Sequence, residues 1–169
     1  MEWTDPEGKI HVLHRIRALK KIFNTKTECC CIVKVGELGG WIESEDNLSQ
    51  DGLCWLNSSF GHYTTIVCGN ARVSGNAVIL YDAQVYGNAV VSMNAAVSDD
   101  AKVYGNAEVT GGHVKNHAEV FGSAKVSGGK VGGHAKMSGG EVVDGGNVRG
   151  DAVMLSSTVD YEIYKGTIT

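Results

Sequence analysis

The sequence predicts an all-β chain wound into a triangular parallel β-helix, with a small N-terminal cap. Three observations carry that reading. A six-residue phrase recurs, as GNARV at 69–73, GNAVI at 75–79, GNAVV at 87–91 and GNAEV at 105–109. Within each unit apolar residues alternate with polar ones, the period of a strand, and a turn signal interrupts the alternation every sixth residue; a helix would place them three and four apart. The composition, 23 Gly with one Pro and three Phe in 169 residues, suits many tight corners around small side chains rather than a core of aromatic rings.

The N-terminal segment, 1–50, has a structural task. The end of a solenoid exposes unpaired strand edges and rows of Val, and something must cover them. The apolar residues of HVLHRIRAL and CCCIVKV can form a hairpin or small sheet over the first coil, with Trp41 and Ile42 as its seal.

The β-helix follows over 51–160. From Asp51 ten consecutive hexads keep the form turn, turn, small, outward, aliphatic, outward, ending with GNAEVT at 105–110. Val73, Ile79, Val85, Val91, Val97, Val103 and Val109 then point inward, and the Ala two residues before each lets the walls approach. Gly-Asn pairs supply residues that tolerate left-handed dihedrals. Four later units, GGHVK at 111, GGKVG at 128, GGEVV at 139 and SSTVD at 156, lose the Ala and become pentads. Three strands per coil give about six coils, stacked at about 4.8 Å. Residues 161–169 read as a C-terminal cap or tail.

Stacked coils place residues 17 or 18 apart on top of one another, so the outward residues form columns. One corner column reads Asp82, Asp100, His117, His134, Asp151. Such neighbours are close enough to share a proton or, for two histidines, to hold a borderline metal. The preferred reading is that they are polar corner residues standing in for Asn, since Asp and His tolerate left-handed turns; no metal site is assigned. The next strip reads Cys68, Tyr86, Tyr104, Phe121, Ser138, Leu155, flanked by Gln84, Lys102, Glu119 and Lys136. Tyr86, Tyr104, Phe121, Lys102 and Glu119 are therefore the candidate partner contacts. Val78, Leu80, Val90 and Ala96 form a second apolar patch, a candidate seam for self-association.

The net charge of −4 and the scattered Lys and Arg announce no nucleic-acid groove. No apolar run approaches the roughly 18 residues of a membrane span, and MEWTDPEGKI lacks a secretory pattern, so a cytoplasmic chain is expected. The five cysteines form neither a paired framework nor a CxxC pattern, which reads as free thiols.

The pattern V-x-G-N-A-x is similar to the hexapeptide repeat of left-handed β-helix proteins, whose best-known members are trimeric bacterial acyltransferases. The resemblance covers about two thirds of the chain and implies a left-handed coil and a trimer. In addition, RIRALK at 15–20 and VGELGGWIESEDNLSQDGLCWL at 35–56 resemble the N-terminal segment of uncharacterised bacterial and phage or prophage proteins, some labelled as transferases. The chain departs from that pattern in KIFNTKTECCCIVK and in the degenerate hexads over 57–68.

The expected function is noncatalytic: binding of a protein partner through flat walls, without a cofactor. The phage resemblance implies an accessory role in the host cytoplasm, including inhibition of a host defence complex. The alternative is a hexapeptide acyltransferase using acyl-CoA at a trimer seam, with His117 or His134 as general base. That activity, in the resembled family, needs a projecting loop that the uninterrupted repeat over 69–155 does not offer. A purely structural module is the third reading.

Overall fold

The computed structural model describes residues 2–4, 8–23, 31–57, 60–61 and 65–169. It is a parallel β-solenoid with three walls. Strands Trp55–Leu56, Arg72–Val73, Val90–Val91 and their successors to Thr158–Val159 make a first wall seven strands deep. A second, of nine strands, contains Phe60–Gly61, Val78–Ile79, Ala96–Val97 and their successors to Glu162–Ile163. The third, again of seven, runs from Ile66–Val67 through Gln84–Val85 and Lys102–Val103 to Thr167–Ile168. About six turns therefore separate the first rung from the last, as the hexad count predicts.

From Ile66–Val67 onward each two-residue strand has an outward residue first and an inward one second. The inward residues Val73, Ile79, Val85, Val91, Val97, Val103, Val109 and Val120 have no solvent exposure. The corner alanines Ala71, Ala77, Ala83, Ala89 and Ala101 are equally closed off. Burying each inward Val contributes about 1.5–3 kcal/mol relative to exposure. The backbone is satisfied from coil to coil, as in Arg72 N–H donating to Ala89 O at 2.9 Å and Val90 N–H to Ala107 O at 2.9 Å.

The pentads lie where the sequence places them. Connections of three residues precede His113, Lys130, Glu141 and Thr158, and the register across them is kept: Ala96 lies opposite His113, and Lys125 opposite Glu141. The segment 161–169, expected as a cap or tail, supplies two further rungs. Glu162–Ile163 pairs with Asn147–Val148, and Thr167–Ile168 with Val153–Met154, both parallel.

The cap differs from its expected pairing. His14–Arg17 pairs antiparallel with Leu38–Ile42, and Ile22–Phe23 with Cys31–Val33, so HRIR pairs with LGGWI rather than with the cysteine segment. Leu38–Ile42 then lies parallel to Phe60–Gly61, which makes the cap a continuation of the second wall. Ile42 joins the main core, and Trp41 is half-buried with the Arg15 guanidinium 5.6 Å from its ring centre. The segment SEDN locks this arrangement. Asn47 Oδ1 accepts the Glu43 and Ser44 N–H groups, and Asn47 Nδ2 donates to Thr65 O of the first coil at 2.9 Å. Cys29 and Cys30 lie outside the described residues; Cys54 and Cys68 are free thiols, and burial above all pushes the Cys54 thiol up to about 11.

The corners revise one expectation. The left-handed residue is the first of each corner pair, as at Gly69, Gly87 and Gly105, with φ of 68°, 71° and 71°. The asparagines that follow are not in that region. Their role is a side-chain ladder: Asn70 Nδ2 donates to Asn88 Oδ1 at 3.1 Å, and Asn88 Nδ2 to Asn106 Oδ1 at 3.1 Å. At Gly87 a Cβ would sit 3.0 Å from the Gly105 nitrogen, so the coil spacing and the dihedral both favour glycine there.

Val103→Asp places an unpaired carboxylate in a fully closed row and is expected to cost roughly 4 kcal/mol or more, abolishing the folded state. The neighbouring outward change Lys102→Asp should leave it intact. Circular dichroism and thermal melting of the pair test the inward and outward assignment directly.

Candidate functional site

The third wall gathers the side chains with chemistry. Gln84, Lys102, Glu119 and Lys136 are directly opposite one another in successive rungs, so each is the outward residue of its strand. On one side of this charged column runs the corner column of Asp82, Asp100, His117 and His134; on the other runs the aromatic strip.

The aromatic strip is a ladder. Tyr86 and Tyr104 stack with ring centres 4.8 Å apart and planes within 2°, and Tyr104 and Phe121 stack at 5.0 Å and 5°. Each stacked pair contributes about 0.5–1.5 kcal/mol beyond its burial. The Tyr104 hydroxyl donates to Glu119 Oε2 at 3.0 Å, and Lys136 Nζ meets Glu119 Oε1 at 3.0 Å. Glu119 thus joins the ladder to the charged column. Its carboxyl is held below the ordinary value, chiefly by the Lys136 hydrogen bond. Burial first, and then the Glu119 carboxylate, push the Tyr104 phenol up to about 12. Tyr86 is raised by the same order of causes, burial ahead of Glu119.

At the corner, His117 Nδ1 lies 3.3 Å from Asp100 Oδ2, and the His117 and His134 rings stack at 4.8 Å and 12°. Both partners of the Asp100–His117 pair are more than half exposed. An open trough of about 450 Å³ separates this column from Gln84, Lys102, Glu119 and Lys136. Among the described residues, no three His, Cys, Asp or Glu side chains are grouped so as to hold a metal ion.

The backbone does not account for the identity of this column. The left-handed residues are those before it, Tyr81, Asp99, Asn116, Gly133 and Gly150, with φ of 58°, 62°, 60°, 67° and 65°. Asp82, Asp100, His117, His134 and Asp151 are second in their pairs and are not needed for the turn. The expectation that they serve the corner dihedral is therefore corrected: their side chains, not their backbones, distinguish this edge.

The expected seam draws on two adjoining walls. Val78 and Ala96 are opposite one another on the second wall, with Leu80 two residues along from Val78, but Val90 belongs to the first wall between Arg72 and Glu108. Two residues that the sequence reading passed over border this patch. Tyr81 and Met93 are 44% and 65% exposed and hold φ of 58° and 56°, positions where most corners place Gly. The signal was present, since YDA at 81–83 and MNA at 93–95 replace the usual GNA.

A second cavity, of about 780 Å³, lies where the cap meets the first coil, lined by Arg15, Arg17, Lys20, Glu43, Cys54 and Trp55 among others. The Trp55 indole N–H is buried there without a hydrogen-bond partner.

No protein-family model matches the chain, and no curated protein is significantly similar to it.

The phenol shifts give a pH signature. In the folded chain the neutral form of Tyr104 is favoured, so its contribution to stability is complete below the ordinary tyrosine value of 10 and is lost as the pH rises toward 12. Ultraviolet titration should show Tyr104 among the last phenols to ionise. Glu119→Gln should lower its midpoint part of the way, leaving the portion due to burial.

Proposed function

We propose that the chain is a noncatalytic binding protein whose third wall is its contact surface for a protein partner. The aromatic ladder carries this reading. Three rings are fixed in parallel at the edge of a flat wall, tied through the Tyr104–Glu119–Lys136 contacts to a charged column. Aromatic groups beside a few charges are the usual composition of protein contacts. Because these side chains are already held by stacking and hydrogen bonds, little ordering entropy is lost when a partner docks. The phage-associated role implied by the N-terminal resemblance, including inhibition of a host complex, is one form this binding would take.

Acyl transfer is the second reading, and one observation favours it. Asp100 is placed to orient His117 at the edge of an open trough, as a general base requires. Against it, from Val67 to Ile168 every connection between rungs is four residues or fewer, so this span offers no projecting loop to cover an acyl-carrying arm.

The two readings separate by substitution. Tyr86→Ala with Tyr104→Ala should weaken partner binding by about 2 kcal/mol, roughly thirtyfold in Kd, while circular dichroism stays unchanged. His117→Ala with His134→Ala should leave binding intact. Partner capture compared by mass spectrometry across wild type and both double variants, alongside acyl-CoA turnover, checks this. Loss of activity on removing the histidines alone would transfer the assignment to acyl transfer.

A trimer joined through Val78, Leu80, Val90 and Ala96 accompanies the proposal. Light scattering at micromolar concentration should give a multiple of 17.9 kDa, and a monomer mass would remove it.

A further inference from the structure

The end of the core beneath the cap is less closed than the rest. From Ala71 to Val159 the residues of the main core are 0–1% exposed, but Ile42, Leu48 and Cys54 are each at 7% and together line the cavity of about 780 Å³ between the cap and the first coil. That volume falls within the range of small-molecule sites, roughly 300–1,000 Å³. Trp55, 6% exposed, belongs to the same lining, and its indole N–H is, among the described residues, the one buried side-chain nitrogen or oxygen without a hydrogen-bond partner. Such a donor is costly unless something accepts from it.

The charges around this cavity are unevenly engaged. Glu43 is held by His11 at 2.8 Å, and Arg15 donates to Gly39 O and lies over the Trp41 ring. Lys20 Nζ uses one of its three hydrogens, on Gly52 O at 2.9 Å, and Arg17 meets no carboxylate among the described residues. Burial pushes the Cys54 thiol up and Lys20 opposes that rise, which sets the ammonium beside the apolar floor. Glu45 is the remaining carboxylate of the lining. Arg15, Arg17 and Lys20 therefore face Glu43 and Glu45, and Glu43 is already taken.

We propose that this cavity binds a small aliphatic carboxylate. Its chain covers Ile42, Leu48 and Cys54, and its carboxylate accepts from Lys20 and from the Trp55 indole N–H. The lining shares no residue with that of the trough on the third wall, so the site is independent of the contact surface assigned there. Each half of the ligand answers one half of the lining. Inorganic phosphate leaves the apolar floor wet, an alcohol lacks the charge, and an amine brings a like charge to Lys20 and a donor to a donor.

The test titrates the full chain with octanoate and follows the indole N–H resonances. The Trp55 signal, identified by its loss in Trp55→Phe, should move downfield and saturate with a Kd below about 1 mM. Octanol should bind at least about fivefold more weakly, and octylamine and inorganic phosphate should leave the signal in place. Lys20→Gln, a change at an exposed residue, should keep the Tm and weaken octanoate about tenfold by calorimetry, while Lys20→Arg restores most of the affinity. A Trp55 signal that octanoate does not move, or that phosphate moves equally, would overturn the proposal. So would octanol or octylamine binding as tightly as octanoate, or unchanged octanoate affinity in Lys20→Gln.

Discussion

Everything in this molecule depends on hydrogen bonds between one coil and the next. Arg72 N–H reaches Ala89 O, Val90 N–H reaches Ala107 O and Glu108 N–H reaches Ala124 O, and this pattern fixes the coil spacing before any side chain is considered. At that spacing the interior has space for one aliphatic row per wall and a row of alanine, which is why the main core, among the described residues, holds no aromatic ring. The outside inherits the same spacing. Side chains of like kind in a column stand at stacking distance, which is why tyrosines, histidines and asparagines each form ladders without any dedicated packing around them.

The ladders do different work. The asparagine ladder exchanges amide hydrogen bonds and closes a corner. The histidine column adds Asp100 to a stacked pair that lines an open trough. In the tyrosine ladder, Glu119 accepts from a phenol on the rung before it and meets an ammonium on the rung after it, linking three rungs through one side chain. The third wall and its two edges thus join stacked rings, an ion pair and a histidine–carboxylate contact in one surface.

Much of this was legible because a two-residue strand in a six-residue repeat leaves no freedom of register. Once Val85 and Val103 are assigned inward, Tyr86 and Tyr104 must be outward and adjacent, and the column from Asp82 to Asp151 follows in the same way. The cap was not legible to the same degree. HRIR and LGGWI are separated by twenty residues, and no two-residue turn of the Asn-Gly kind joins them, so no local turn signal announces their antiparallel pairing. The corner dihedrals were misassigned because Gly and Asn both tolerate φ above zero, and sequence alone does not say which of an adjacent pair takes it.

The short corners fall unevenly. Connections 110–112 and 127–129 join the first wall to the second, and 138–140 and 155–157 join the third to the first; between the second and third walls, the corners carrying Asp82, Asp100, His117, His134 and Asp151 all keep four residues. Over these five tiers the three-residue connections thus fall on the other two edges, and this edge shortens only at its last corner, 164–166. A solenoid tolerates loss of a corner residue wherever the neighbouring walls need only remain attached. From Asp82 to Asp151 this edge therefore keeps one constant outline, and that outline is the rim of the trough.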